Sequence, residues 1–148
     1  EIKGIARDIM MVDDYAHHPT EVSATLQAAR DGWKRRIIAV FQPHLYSRTK
    51  AFYKEFAASF MDSDILIVTD VYPAREKPIN GVNGKLLFDA AKSAGHKQAH
   101  YVPELEDLQD VLDRIVTDND MVITLGAGTI WRYAQSYFDH LNSQEAAA

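Results

Sequence analysis

Ile9-Met10-Met11-Val12-Asp13-Asp14-Tyr15-Ala16-His17-His18-Pro19-Thr20-Glu21 passes from an apolar run to carboxylates, a phenol and imidazoles, and then to a proline. A short apolar run bounded by turn-forming residues reads as a buried strand. Pro19 suits the first turn of a helix, and Glu21 favours its positive dipole end. Val22, Leu26 and Ala29 then recur at helical spacing until Gly32. A strand that ends in polar groups and hands over to a helix is the repeating unit of a parallel sheet, and open sheets of this kind bind ligands beyond the carboxyl ends of their strands. The functional site is expected on that rim.

Outward from this stretch the same alternation recurs. Residues 2–7 and 9–14 flank Asp8 and read as a short hairpin, which places one antiparallel strand at a sheet edge. Strands are expected at 36–41, 65–70, 100–102 and 120–125. Helices are expected at 49–61, with Phe52, Phe56 and Phe60 on one stripe, and at 85–94, 105–116 and from the turn after Leu125 to Leu141. The fold class is α/β, a mostly parallel sheet of about six strands with one antiparallel edge strand and helices on both faces. Residues 1–148 make one domain. Residues 1–8 read as a domain junction and edge strand, because the chain starts without methionine, and 142–148 as a frayed tail. The loop at 71–84 carries Pro73, Pro78, Gly81 and Gly84 and, at about fourteen residues, exceeds the usual connection, which favours a functional or partner-facing role.

Composition narrows the functional classes. With 47% hydrophobic and 25% charged residues the chain can build an ordinary globular core. A net charge of -5 disfavours non-specific attraction to nucleic acid or to an anionic membrane. The absence of cysteine excludes disulfides, thiolate zinc ligation and a cysteine nucleophile, and fits a cytoplasmic location. No apolar run approaches the roughly 20 residues needed to span a bilayer.

Three segments carry candidate chemistry. Asp14, His17 and His18 could position a nucleotide, shuttle protons or bind a metal; the plainer alternative is that Asp13 or Asp14 caps the next helix and the histidines are solvated. His44 could add a ligand from the neighbouring strand end, but neither HxxxH nor HxH spacing links His17, His18 and His44, so no metal site is assigned. In Phe41-Gln42-Pro43-His44-Leu45-Tyr46-Ser47-Arg48-Thr49, Arg48 is the anion-binding candidate, because a guanidinium forks onto a carboxylate or phosphate; its alternative role is a structural ion pair. Ser47 or Thr49 is expected to cap the helix that follows. The turn Thr124-Leu125-Gly126-Ala127-Gly128-Thr129 either offers backbone N–H groups to an anion or lets helix and strand pack closely. No G-x-x-x-x-G-K-[ST] segment occurs, so a nucleoside triphosphate's main phosphate cradle would lie outside this chain.

Taken in order, DDYAHHPTE (13–21), FQPHLYSRT (41–49), DVYPAREKPINGV (70–82) and LGAGT (125–129) resemble the C-terminal domain of the Mur ligases of peptidoglycan synthesis, over essentially the whole chain. The branch resembled is the one that adds L-alanine to UDP-N-acetylmuramate. The resemblance implies a Rossmann-like domain that closes over a central ATPase domain and an N-terminal domain for the UDP sugar. It implies ATP and Mg2+, both held mainly by the central domain, and an acyl-phosphate intermediate. The chain would be inactive alone. By matched motifs, Asp14, Tyr15 and His18 are expected at the ATP, and His17, His44, Tyr46 and Arg48 at the amino-acid substrate, with His17 and Arg48 catalytic. Leu45 departs from the PHRYSRT form of the motif, so the carboxylate clamp leans on Arg48 or on a group from another domain. Two alternatives stay open: the murein tripeptide recycling ligase, whose second segment lacks the QPHxYSRT run, and a stand-alone module that binds small anions.

Overall fold

The computed structural model describes residues 1–148. Strand β1 (Ile2–Ala6) turns tightly into β2 (Ile9–Asp14) and pairs with it antiparallel. Helix α1 (Pro19–Gly32) leads to β3 (Arg36–Phe41), α2 (Tyr46–Ser59) to β4 (Ile65–Val68), and α3 (Gly84–Ser93) to β5 (Ala99–Tyr101). A single 3-10 turn at Leu105–Asp107 opens into α4 (Leu108–Ile115), and β6 (Asp120–Leu125) and α5 (Ile130–Ala147) complete the chain.

The sheet order is β1-β2-β6-β3-β4-β5, and every pair but the first is parallel. Side chains alternate across it as the pleat requires. Ile37, Ala39 and Phe41 face α1, α2 and α3, whose Leu26, Phe56 and Leu87 complete that layer with Phe60 just beyond α2, whereas Ile38, Val40 and Val122 face Leu112 of α4 and Ile130, Ala134 and Leu141 of α5. Both layers are fully buried at their centres, the expected state of a parallel sheet with helices on each side. Across the amino ends of β3 and β6, Arg36 Nη2 pairs with the buried Asp120 carboxylate at 2.7 Å.

Four expectations change. The strands bearing the first two polar segments are not neighbours, because β6 inserts between β2 and β3. Phe52 leaves the apolar stripe: it is 39% exposed and its ring meets His18 edge-on, while Phe56 and Phe60 are buried. Helix α2 starts at Tyr46 rather than at Thr49, for a reason given below. Residues 142–147 are helical rather than frayed, since Arg7 bonds the Gln144 and Glu145 side chains and His140 bonds Asp113 on α4.

Candidate functional site

At the carboxyl end of β2 the chain must leave the sheet and start α1 within a few residues, and its polar side chains make that turn. The Asp14 carboxylate accepts from Ala16 N–H at 2.8 Å, an Asx-type closure. Asp13 accepts from the Thr124 hydroxyl at 2.7 Å and ties β2 to β6. Neither aspartate caps α1. That task falls to Glu21, whose Oε1 accepts the backbone N–H of both His17 and His18 at 3.1 Å; the bond from His17 is the main reason its carboxyl stays below the ordinary range. Thus fixed, Tyr15 stands 69% exposed with its ring edge-on to His17, their centroids 5.0 Å apart.

At the end of β3 the turn into α2 is held from outside. Leu45, the residue before α2, has φ 71°, a strained conformation for a side chain of this size. It persists because Leu45 N–H donates to Tyr72 O at 2.9 Å and Tyr72 N–H donates to Pro43 O at 2.8 Å. Leu45 has no side-chain acceptor to cap α2, and neither Ser47 nor Thr49 does so. Instead Glu76, in the long loop, accepts from Ser47 N–H at 3.0 Å and from the Ser47 hydroxyl. These bonds hold the Glu76 carboxyl below its ordinary range, with Arg48 adding to the effect.

The two turns meet above β6. His17 and His44 lie edge-on with centroids 6.2 Å apart, His18 is 5.0 Å from His17, and Arg48 Nη1 donates to His44 Nδ1 at 2.9 Å. On its other side His44 stacks on Tyr72, at 5.7 Å and 17° between planes. Arg48 forms none of the protein's ion pairs, so the alternative of a structural salt bridge does not hold, and its guanidinium remains available to an external anion.

Hydrogen-bond chemistry sets the tautomers. A guanidinium only donates, so His44 Nδ1 must accept and Nε2 carries the proton. Burial first, and then the positive Arg48, keep this imidazole below its ordinary pKa and therefore neutral. His17 is the reverse case: its Nδ1 lies 2.8 Å from Tyr15 O, and a carbonyl only accepts, so Nδ1 donates and, in the neutral ring, Nε2 is the acceptor. No buried side-chain nitrogen lacks a partner, so both Nε2 atoms are open to solvent. The cluster thus presents a cation and an N–H donor, with an imidazole acceptor where His17 is neutral. That set matches a molecule with a carboxylate at one point and an amine at another.

Of the residues singled out from sequence, the structure brings together Tyr15, His17, His18, His44 and Arg48. Asp14 lies on the rim but its carboxylate serves its own turn and borders a separate apolar groove of about 340 Å³ with Ile2, Val12 and Trp33. Tyr46 is half-buried at the first position of α2, outside the ring contacts that join the others. Sequence reasoning missed Gln42, Tyr72 and Glu76. Loop length pointed to the segment that holds the last two, but nothing local marked the residues. At the β6 turn, the Gln42 carboxamide oxygen accepts from Ile130 N–H at 3.0 Å and its Nε2 donates to Thr129 Oγ1. The Ile130 N–H at the start of α5 is therefore satisfied within the protein, and Gly128 packs closely on Tyr72 and Gln42. No group of three or more His, Asp or Glu side chains is arranged to hold a metal ion.

A six-stranded, mostly parallel sheet with helices on both faces, carrying a guanidinium and imidazoles at its strand ends, is an α/β domain of the doubly wound class. Residues 1–128 match the family described as "Mur ligase, glutamate ligase domain", and the chain belongs to that family. It is 50% identical to the UDP-N-acetylmuramate–L-alanine ligase of Salinibacter ruber over the whole chain, and 50% identical to that of Geotalea uraniireducens over 95% of it. The chain spans 31% of the length of each of these relatives. Among solved structures, the UDP-N-acetylmuramate-alanine ligase of Thermotoga maritima superposes with TM-score 0.79 at 29% identity, over 97% of this chain and 30% of that one. A murein peptide ligase from Psychrobacter arcticus superposes with TM-score 0.78 over 96% of this chain and 29% of its own; at 21% identity it supports the fold alone.

Proposed function

We propose that this chain is the amino-acid-binding, closing domain of an ATP-dependent ligase that joins L-alanine to UDP-N-acetylmuramate. The observation that carries the reading is the junction of His17, His44 and Arg48 over β6. The family membership and the names borne by the 50%-identical relatives support it, and they favour the alanine-adding reaction over murein tripeptide recycling. A carboxylate is a poor electrophile. Transfer of the ATP γ-phosphoryl group to the muramoyl carboxylate makes an acyl phosphate and ADP; the amine of L-alanine then attacks the acyl carbon, the C–N bond forms and inorganic phosphate leaves.

The amine must arrive neutral, aligned and shielded from water, which would hydrolyse the acyl phosphate. In this reading Arg48 and the His44 Nε2–H hold the amino-acid carboxylate, with Tyr46 bordering the pocket. His17 Nε2 accepts a proton from, or orients, the attacking amine. Tyr15, His18 and the Asp14 turn border the nucleotide. In this reading Mg2+ and most of the ATP contacts come from the central domain that the family resemblance implies.

The test is alanine-dependent ADP release by the full-length enzyme. Arg48→Ala is expected to lower kcat/KM for L-alanine by the equivalent of about 2–5 kcal/mol, the loss typical of a broken desolvated charge pair. His17→Ala should lower kcat more than it raises KM. Unchanged kcat and KM for L-alanine in Arg48→Ala would remove Arg48 from this role.

A further inference from the structure

Glu76 has no place in the chemistry above, yet it joins two elements that must stay in register for that chemistry. Its carboxylate takes the N–H and the hydroxyl of Ser47 in the first turn of α2, immediately before Arg48. That turn has no cap of its own, and it begins at a strained residue, Leu45. The same loop supplies Tyr72, which bridges Pro43 and Leu45 through its backbone and stacks on His44. The loop therefore grips the His44–Arg48 turn at two points, Tyr72 on the strand side and Glu76 on the helix side. Glu76 also fills the positive end of α2, where a substrate carboxylate would otherwise compete with the Arg48 position. Glu76 accepts from Ser47 and makes no ion pair with Arg48, whose guanidinium donates to His44 instead.

We propose that Glu76 is a positioning residue: by capping α2 from the loop it holds Arg48 against His44 and directs the amino-acid carboxylate to the guanidinium. This rests on the ligase reading above. Three variants test it in the full-length enzyme. Glu76→Ala should raise KM for L-alanine about tenfold, the scale of one lost charge-assisted hydrogen bond, with kcat and the KM for ATP and for UDP-N-acetylmuramate within about twofold. Glu76→Gln, whose amide oxygen can still accept from Ser47, should restore KM to within about threefold of the parent. Ser47→Ala, which removes only the hydroxyl bond, should fall between Glu76→Ala and the parent and serves if Glu76→Ala does not fold.

An unchanged KM for L-alanine in Glu76→Ala, an equal rise in all three KM values, or failure of Glu76→Gln to rescue would each overturn the proposal. A second readout does not need turnover. In this 148-residue chain, side-chain 15N shifts of His44 should report the Nε2–H tautomer, and Glu76→Ala should return the ring to the mixed tautomers of a free histidine. If the parent enzyme releases no ADP in response to alanine, the ligase reading fails, and these shifts still decide whether Glu76 holds the Arg48–His44 pair. Shifts that do not move in Glu76→Ala would refute it.

Discussion

A Cβ added to Gly128 would lie 2.6 Å from Tyr72 Cγ and 2.7 Å from the Gln42 carboxamide oxygen, closer than side-chain carbons approach one another. Tyr72 is thus wedged between this glycine and the His44 ring. Gly128→Ala is expected to push Tyr72 off His44, lowering stability by about 1–3 kcal/mol through overpacking and raising KM for L-alanine. Thermal unfolding and initial rates check this, and a variant with parental stability and KM would show that the wedge does not bear on the site. At this scale the sequence was informative about which residue types matter and silent about what they touch. His17, His44 and Arg48 stood out as polar groups at strand ends. Tyr72 and Glu76 did not, because their partners, Pro43, His44, Leu45 and Ser47, lie 27 to 29 positions away, as the Ser47–Glu76 separation of 29 illustrates.

Elements were legible where hydrophobic period alone decides them, and less so where a cap comes from elsewhere. Strands β2, β3 and β6 fall where their apolar runs predict, because both faces of each are buried. Helix α2 begins a turn early since its cap is Glu76, and α5 outruns its apolar stripe because Arg7 and Asp113 anchor its last turns. The connection from α3 to β5 carries a testable linkage. His96 is buried there: its Nε2 lies 3.1 Å from both oxygens of Ser63, and its Nδ1 accepts Gln98 N–H at 3.3 Å. Burial holds its pKa below 6.5, and His44 is depressed in the same direction. The unfolded chain therefore takes up protons near pH 6.5 while the folded one resists, so stability is level above that pH and falls as pH drops below it. Each histidine contributes at most about 1.4 kcal/mol per pH unit. Denaturant midpoints between pH 5 and 8 should show this slope, reduced in His96→Gln; a flat profile in the parent chain would contradict it.

For the whole molecule, the alternation of strands and helices announced an α/β sheet, and the three polar strand ends announced a rim. Strand order was not readable, since nothing local reveals that β6 returns to lie between β2 and β3. That insertion matters. It spaces the first two polar turns by the width of one strand, so that their side chains meet across it instead of packing side by side. The third turn, after β4, braces the second through His44↔Tyr72 pairing. The chain spans 31% of the length of its relatives, and under the proposed function other domains complete the site. The decisive measurement is the position of the amino acid in a structure of the full-length enzyme with a non-hydrolysable ATP analogue, UDP-N-acetylmuramate and L-alanine. The alanine carboxylate is expected within about 3 Å of the Arg48 guanidinium, with His44 Nε2 as a second donor and the amine toward His17. Alanine bound away from all three, with Arg48 paired to an acid from another domain, would contradict the account.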